Sequence, residues 1–413
     1  MFRAYKYRIY PTDEQKTAIH QHLVCARWIY NYALDKKTKA YTVDKVSLSR
    51  FDIQADLPKL KAQSETAWLK EVNSQTLQAS LENMDKAFRS FFKKTGGFPK
   101  FKSKSKSKKD NRQSFQVPAS VKIDWEKQTL SIPKIKGIPV VFHRRFEGKI
   151  KTVTVSKTPT GKYFASILVE VAQEPSAVQS VKSSTTVGID TGIKTFVVSS
   201  DGQTFNNVKY LKNSLTRLKV LQKRASRKVK VSNNRKKANL KVAHLHEKIT
   251  NQRLNHIHQV TSKLTTNSEI QTICIEDLNV KGMMQNHKLA QSLSDVSLGK
   301  FYEVLRYKCQ WQGINLVQIG RWDASSKICS QCGSHKADLT LADREYHCNH
   351  CGNVMDRDVN AAINIKNFGL SKHSGADSSI ELGEMPEISG SVNQEALALK
   401  GGGVYHMCCT QPL

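Results

Sequence analysis

The chain has 413 residues, 39% of them hydrophobic, which is enough for two or three domains with their own cores and too apolar for a disordered chain. Its 65 Lys plus Arg against 35 Asp plus Glu leave a net charge of +30, so a polyanionic partner is favoured over a small neutral substrate. No window approaches eighteen uninterrupted apolar residues and MFRAYKYRIYPTDEQ carries no apolar leader, so an intracellular, cytoplasmic protein without a membrane partner is expected.

Residues 2 to 10 read as a strand. Pro11 and TDEQ then start a helix in which Thr12 caps and Gln15 reaches back, with apolar residues at Ile19, Leu23, Ala26, Ile29, Tyr30 and Ala33. A second amphipathic helix runs from about Ser74 to Lys94, striped by Leu77, Leu81, Met84, Phe88 and Phe91 and stopped by Gly96 and Gly97. PKFKSKSKSKK, residues 99 to 109, adds six lysines. From about 115 to 172 the texture is alternating: KTVTVSK, a turn at TPTG, then KYFASILVEV with Tyr163, Ala165, Ile167, Val169 and Val171 on one face. That predicts an antiparallel β-barrel, which the opening strand joins, because alone it would leave an unpaired edge. AQEPSAVQSVKSSTT is a linker.

Another texture begins at Thr186. TVGIDTGIKTFVVSSDG reads as a strand, a tight turn at Asp190 to Gly192 and a returning strand. Helical patterns fill about 212 to 265. The strand in IQTICIEDLN ends at Glu276, a helix covers about Leu298 to Gln312, and INLVQIG is a further strand; together these predict an α/β domain with a mixed sheet. Residues 371 to 413, rich in Gly, Ser and Glu, read as a disordered tail. Within the helical stretch, residues 212 to 241 hold twelve Lys or Arg and no acid. A cationic membrane helix would need a bulky apolar face, and only a few Leu and Val stand between these charges, so a phosphate backbone is the better partner. Lys100, Lys102, Lys223, Arg224, Arg227 and Lys228 are candidate nucleic-acid contacts.

Four of the nine cysteines, Cys329, Cys332, Cys348 and Cys351, form CxxC, fifteen residues, CxxC, the spacing of a four-thiolate zinc ribbon. Four thiolates leave no open coordination position, so this Zn2+ is expected to be structural. His347 and His350 offer a substituted ligand set. Cys25, Cys274 and Cys309 read as small buried hydrophobes, and Cys408 and Cys409 fall in the tail. Three acids stand at element ends: Asp190 after an apolar strand, Glu276 at the end of another, Asp358 before the helix NAAINIKNF. Each alone reads equally well as a cap or turn residue. Converging at strand ends they would repel one another unless divalent cations neutralised them, the arrangement that phosphodiester hydrolysis uses.

The order GIDTGIKTF, IEDLN, a CxxC ribbon and DRDVNAAINI resembles the split RuvC-like nuclease of the transposon-associated TnpB family, relatives of type V CRISPR effectors. YKYRIYPTDEQ, ARWIYNYAL and GFPKFK extend the likeness over nearly the whole chain. The resemblance implies an RNase H-like fold, a bound guide RNA, a short motif read in double-stranded target DNA, and cleavage of the DNA paired to the guide, by a monomer with its RNA in a bacterial or archaeal cell. It makes Asp190, Glu276 and Asp358 the ligands of two Mg2+ ions, with Mn2+ a substitute; Asp358 is chosen over Asp356 because the family's last acid stands two places before the Asn of DxNAA, here Asn360. Asp356 and Asp277 are the fallbacks. VNSQTLQ resembles the segment set against the duplex motif, which makes Gln78 a base-edge candidate. The implied layout is a barrel wedge domain from 1–11 and 115–183, a helical recognition domain at 12–114, nuclease parts at 184–321 and 356–370, and the zinc ribbon insert at 322–355. Two other readings stay open, a transposase that needs no RNA and a nuclease-inactive RNA-guided binder; retention of the three acids argues against the second.

Overall fold

A computed structural model of the protein describes residues 1–102, 113–172, 180–340 and 343–374. The described residues divide into two compact units, one within residues 1–172 and the other within residues 180–374.

The first unit opens with β1 (Phe2–Ile9), followed by α1 (Asp13–Asp44), α2 (Arg50–Gln54), α3 (Asp56–Ala62), a 3-10 stretch at Ser64–Glu71 and α4 (Ser74–Phe92). Thr12 and Gln15 form the reciprocal box that starts α1. Strands β2 (Gln113–Val117), β3 (Lys122–Asp124), β4 (Thr129–Ile132), β5 (Ile135–Val141), β6 (Lys149–Lys157) and β7 (Tyr163–Glu170) complete it. They make one antiparallel sheet in the order β2-β6-β7-β1-β5-β4-β3, so β1 lies inside it between β7 and β5. Among the described strands β2 and β3 are edges that do not pair with each other, so the expected barrel is not closed by hydrogen bonds. Ile19, Leu23 and Ala26 of α1 pack with Tyr7, Ile9, Val153 and Ile167, so that a helix joins the sheet's core. Further along the same helix, Ile29, Tyr30, Ala33 and Leu34 pack instead with Leu77, Leu81, Met84 and Phe88 of α4. The short helices between 50 and 71 have no periodic run long enough to announce them.

The second unit begins with a 3-10 turn at Ser183–Thr185 and β8 (Thr186–Thr191), β9 (Thr195–Ser199) and β10 (Thr204–Asn206). Helices α5 (Tyr210–Ser226) and α6 (Asn233–Thr266) lead to β11 (Thr272–Ile275). After α7 (Val280–Met283), α8 (His287–Val296) and α9 (Leu298–Gln312) come β12 (Asn315–Gln318), the hairpin β13 (Glu345–His347) and β14 (Val354–Asp356), and α10 (Arg357–Ser374). The sheet runs β10-β9-β8-β11-β12, antiparallel on the β9 and β10 side and parallel from β8 through β12. It is therefore mixed. Because α10 runs through Ser374, residues 371–374 are helical and not tail as expected, and 375–413 lie outside the described residues, with Cys408 and Cys409.

Both faces of this sheet are covered, and all four residues of β11, TICI, are buried. Ile189, Ile273 and Ile275 face α6, α8 and α9 through Ile257, Leu264, Leu293, Phe301 and Leu305. Cys274 and Val317 face the other way, against Ile365 of α10. One buried carboxylate fixes where the basic helix starts. Asp295 accepts from the backbone N–H groups of Leu211 (2.9 Å) and Lys212 (3.0 Å), whose helix lacks a side-chain cap of its own, and from the guanidinium of Arg253 at 3.1 Å.

Candidate active site and metal cluster

The geometry of the acids follows from strand periodicity. Gly188 and Asp190 are two apart on β8 and so face the same side, the side of α10. A Cβ on Gly188 would lie 2.1 Å from the Ala362 carbonyl oxygen and 2.5 Å from the Lys366 nitrogen, so glycine is what allows α10 to lie on the strand. From that contact, two residues along β8 advance about 6.6 Å to Asp190, and four back along the helix advance about 6 Å to Asp358. The matched steps bring the two carboxyls to the same level. Glu276 follows from register: Ile275 pairs with Ile189 across the parallel ladder, so Glu276 stands one residue on, beside Asp190.

The electrostatics agree. Burial first, then the charges of Glu276 and Asp358, push the Asp190 carboxyl up to about 7, against a smaller opposing pull from the Thr191 backbone and Arg357. The charges of Glu276 and Asp358 thus both act on the buried Asp190 carboxyl. Two more groups close on the same spot. Ser325 donates to Glu276 at 2.5 Å, and the Tyr302 hydroxyl of α9 meets Thr191 Oγ1 at 2.6 Å. Burial, and then the Glu276 and Asp190 charges, raise the Tyr302 phenol well above its ordinary value. Neither Ser325 nor Tyr302 is distinguishable in the sequence, because a lone hydroxyl carries no spacing signal.

The fallback acids are used otherwise. Asp356 is exposed, and its Oδ1 accepts from the N–H groups of Asp358 (2.9 Å) and Val359 (3.1 Å), which makes it the cap of α10. Asp277 is held by Gln318 Nε2 at 2.9 Å and by the Arg321 guanidinium at 2.7 Å.

The cysteine cluster sits on two matching knuckles. Gly333 N–H donates to the Cys329 carbonyl and Gly352 N–H to the Cys348 carbonyl, with φ of 75° and 74° at the two glycines, a conformation that favours residues without Cβ. The thiol sulfurs of Cys329, Cys332, Cys348 and Cys351 all lie within 4.8 Å of one another, the one such cluster of metal-binding groups among the described residues. Cys329 to Cys351 is 3.7 Å and Cys332 to Cys348 is 3.5 Å. Four sulfurs at about 2.3 Å from a tetrahedral centre stand roughly 3.8 Å apart, so the thiols fit a four-coordinate metal site. His347 lies outside it, pairing with Glu345 at 3.3 Å. Cys25, Cys274 and Cys309 are buried, each pushed up to about 12 first of all by burial.

What joins cluster to carboxylates is a pair of buried asparagines one turn apart. Asn360 accepts from Ser330 N–H (2.9 Å) and donates to the Ile328 carbonyl (2.7 Å); Asn364 donates to the carbonyls of Ser325 (2.7 Å) and Ile328 (2.6 Å). The base of the ribbon is therefore bolted to the helix that carries Asp358. The sequence used Asn360 only as a landmark, and the NxxxN spacing was the signal available.

The basic candidates divide. Lys223, Arg224, Arg227 and Lys228 are exposed at the end of α5 and just beyond it, and their side chains enter no ion pair among the described residues. Lys100 is exposed. Lys102 is already engaged: its ammonium lies 3.9 Å from the centre of the Tyr30 ring and its backbone is clamped by Asn31. Residues 103–109 of the lysine run lie outside the described residues. Gln78 is exposed on α4.

Residues 166–287 match the family model described as "Probable transposase" (OrfB_IS605) and residues 299–365 the one described as "Cas12f1-like, TNB domain". Residues 1–45 match a "Helix-turn-helix domain", although here that stretch folds as β1 and the single long helix α1. A Streptomyces pristinaespiralis protein described as "Putative RNA-guided DNA endonuclease" is 39% identical over 91% of this chain and 91% of its own. The Escherichia coli K12 protein "Putative RNA-guided DNA endonuclease InsQ" is 29% identical over 88% and 91%. Among solved structures, the Cas12f1–sgRNA–target DNA complex matches with a TM-score of 0.51 at 14% identity, over 89% of this chain and 99% of that one. That likeness speaks to the fold.

Proposed function

The chain belongs to the TnpB family of RNA-guided DNA endonucleases, and on that premise we propose that it binds a guide RNA, reads a short motif in duplex DNA and hydrolyses phosphodiester bonds of the guide-matched strand. The observation that carries the reading is that the charges of Glu276, one residue beyond the register partner of Ile189, and of Asp358 both act on the buried Asp190 carboxyl at the end of β8. A carboxyl pushed up to about 7 by burial first and then by two neighbouring acids favours a bound cation, and an all-oxygen donor set suits hard divalent cations, Mg2+ or Mn2+. Such ions would activate water and stabilise the leaving oxygen. The chain itself does the positioning. Ser325 orients the Glu276 carboxylate, Asp356 holds the first turn of α10 so that Asp358 points inward, and Gly188 sets the distance between helix and strand.

Cys329, Cys332, Cys348 and Cys351 would hold Zn2+ as a structural ion, since four soft thiolates leave no site for water or substrate. Its place is mechanical: the folded ribbon keeps Ile328 and Ser330 where Asn360 and Asn364 bind them. We assign the first unit to wedge and recognition roles, with Gln78 facing the duplex motif, and the exposed end of α5 to the RNA backbone, in a cytoplasmic complex of one chain with one RNA. The experiment that separates this reading from an RNA-independent transposase is the sequencing of nucleic acid that copurifies with the protein. A discrete RNA species whose removal abolishes cleavage supports the guided reading; cleavage or strand transfer by RNA-free protein contradicts it.

A further inference from the structure

The chain has five tryptophans, and four of them have aromatic partners: Trp28 with Tyr32 and Trp68, Trp125 with Phe142 and Phe146, and Trp311 with Tyr307. Trp322 is different. It is 91% exposed, and among the described residues no ring lies against it. A fully wetted indole gives up one of the largest apolar burials available to a side chain, and such residues concentrate where a partner covers them.

The segment that carries it is held at both ends. It follows β12, whose parallel neighbour β11 leads into Glu276. Asp323 N–H donates to the Gly320 carbonyl at 3.2 Å, closing a four-residue turn with Trp322 in its third position. Back across that turn, the Asp323 carboxylate accepts from Gly320 N–H at 2.6 Å. A Cβ on Gly320 would stand 2.9 Å from both carboxylate oxygens, so the Asp323 side chain packs directly over this glycine. On one flank Arg321 pairs with Asp277 at 2.7 Å; on the other Ser325 donates to Glu276 and accepts from Asn364. Consecutive residues of the acidic segment thus grip both sides of the turn, and an indole is presented to solvent from a braced mount next to a carboxylate of the candidate active site.

We propose that Trp322 is a stacking platform for an unpaired base of the DNA strand entering the carboxylate site, an assignment that rests on the nuclease reading above. A paired and stacked base has no free face for an indole, so the occupant is a single strand; the carboxylates beside the turn are the reason it is the strand to be cut. The stacked base holds the backbone on either side of it, which places a phosphodiester over Asp190, Glu276 and Asp358. Trp322 is a positioning residue: it touches the strand but takes no part in bond breaking.

The test uses the protein with its copurified RNA, an oligo(dT) single strand and an oligo(rU) control. In the Asp190→Ala background, which on the reading above should bind without cutting, oligo(dT) should quench a tryptophan signal that Trp322→Phe removes. Trp322→Ala should weaken oligo(dT) binding between about 5-fold and about 150-fold, the range for losing one base–aromatic stack. Trp322→Phe should recover most of it, which a merely structural role of the turn would not produce. With Asp190 restored, Trp322→Ala should raise KM for guide-matched DNA more than it lowers kcat, at unchanged zinc content and guide RNA retention. Equal oligo(dT) binding by wild type and Trp322→Ala, failure of Trp322→Phe to rescue, or quenching by oligo(rU) and not oligo(dT) would overturn the assignment. A wild-type complex that quenches with oligo(dT) yet cuts no guide-matched DNA would instead count against the nuclease reading.

Discussion

Gly188→Ala is the most informative substitution outside the acids, because it perturbs their arrangement without removing a charge. Its added Cβ would fall 2.1 Å from the Ala362 carbonyl oxygen, and an ordinary contact begins near 3.4 Å, so α10 must retreat by about 1.3 Å or the strand must bend. Backbone stands on both sides of the clash, so no side-chain rotation relieves it. Asp358 is one turn from Ala362 on the same helix and moves with it. A displacement of about 1 Å at a reacting centre costs on the order of 10²-fold in rate, while overpacking of this kind costs about 1 to 3 kcal/mol in stability. The assay is single-turnover cleavage of guide-matched DNA at saturating protein–RNA complex, beside a binding measurement on the same DNA. We expect cleavage to fall about 100-fold with binding within a few-fold of wild type. Cleavage at the wild-type rate by a folded Gly188→Ala protein would refute the claim that α10 is seated on β8 to bring Asp358 to Asp190.

Asn360→Ala leaves the Ile328 carbonyl and Ser330 N–H without their partner, at about 1 to 3 kcal/mol, and should slow cleavage while zinc content stays at one ion per chain; wild-type cleavage by this variant would deny the ribbon–helix link its role. His22 is buried, donates from Nδ1 to the Ala18 carbonyl and accepts the Asn73 N–H at Nε2, and burial holds its imidazole below the usual value. A lowered histidine pKa means that the unfolded chain binds the proton more readily, so this stability is present above about pH 6.5 and lost as pH falls. The urea midpoint should drop between pH 7 and pH 5 in wild type and less in His22→Gln, and parallel curves would contradict it. Neutralising Lys223, Arg224, Arg227 and Lys228 together should flatten the salt dependence of RNA binding by up to about four times the per-phosphate factor of ~0.7 to ~0.9, and an unchanged slope would make the end of α5 a solvated face.

What could be read in advance was whatever repeats along the chain. The alternation in KYFASILVEV, the buried run in TICI and the capping box at Thr12 are local patterns, and each surfaces as β7, β11 and the start of α1. Cysteine spacing is local as well, and the knuckle glycines stand beside it. Bonds between distant segments left no such trace. Asn364 to Ser325 spans 39 residues and Tyr302 to Thr191 spans 111, and neither end advertises the other. The same holds for Gly188, whose need for close approach depends on a helix more than 170 residues later. Choosing Asp358 over Asp356 needed the family pattern; the structure adds a physical ground, that Asp356 is occupied as a cap. Alternation shows which face of a strand is buried and not whether the end strands meet, and among the described residues β2 and β3 do not pair.

The measurement that bears most directly on the account is cleavage of guide-matched duplex by the purified protein–RNA complex with Mg2+, comparing wild type with Asp190→Ala. Asp190 is the carboxyl on which the other two act, and on the proposed reading its loss would remove a metal ligand and no phosphate contact. Cleavage should disappear while RNA retention and target binding remain near wild type. Cutting by Asp190→Ala at the wild-type rate would contradict it.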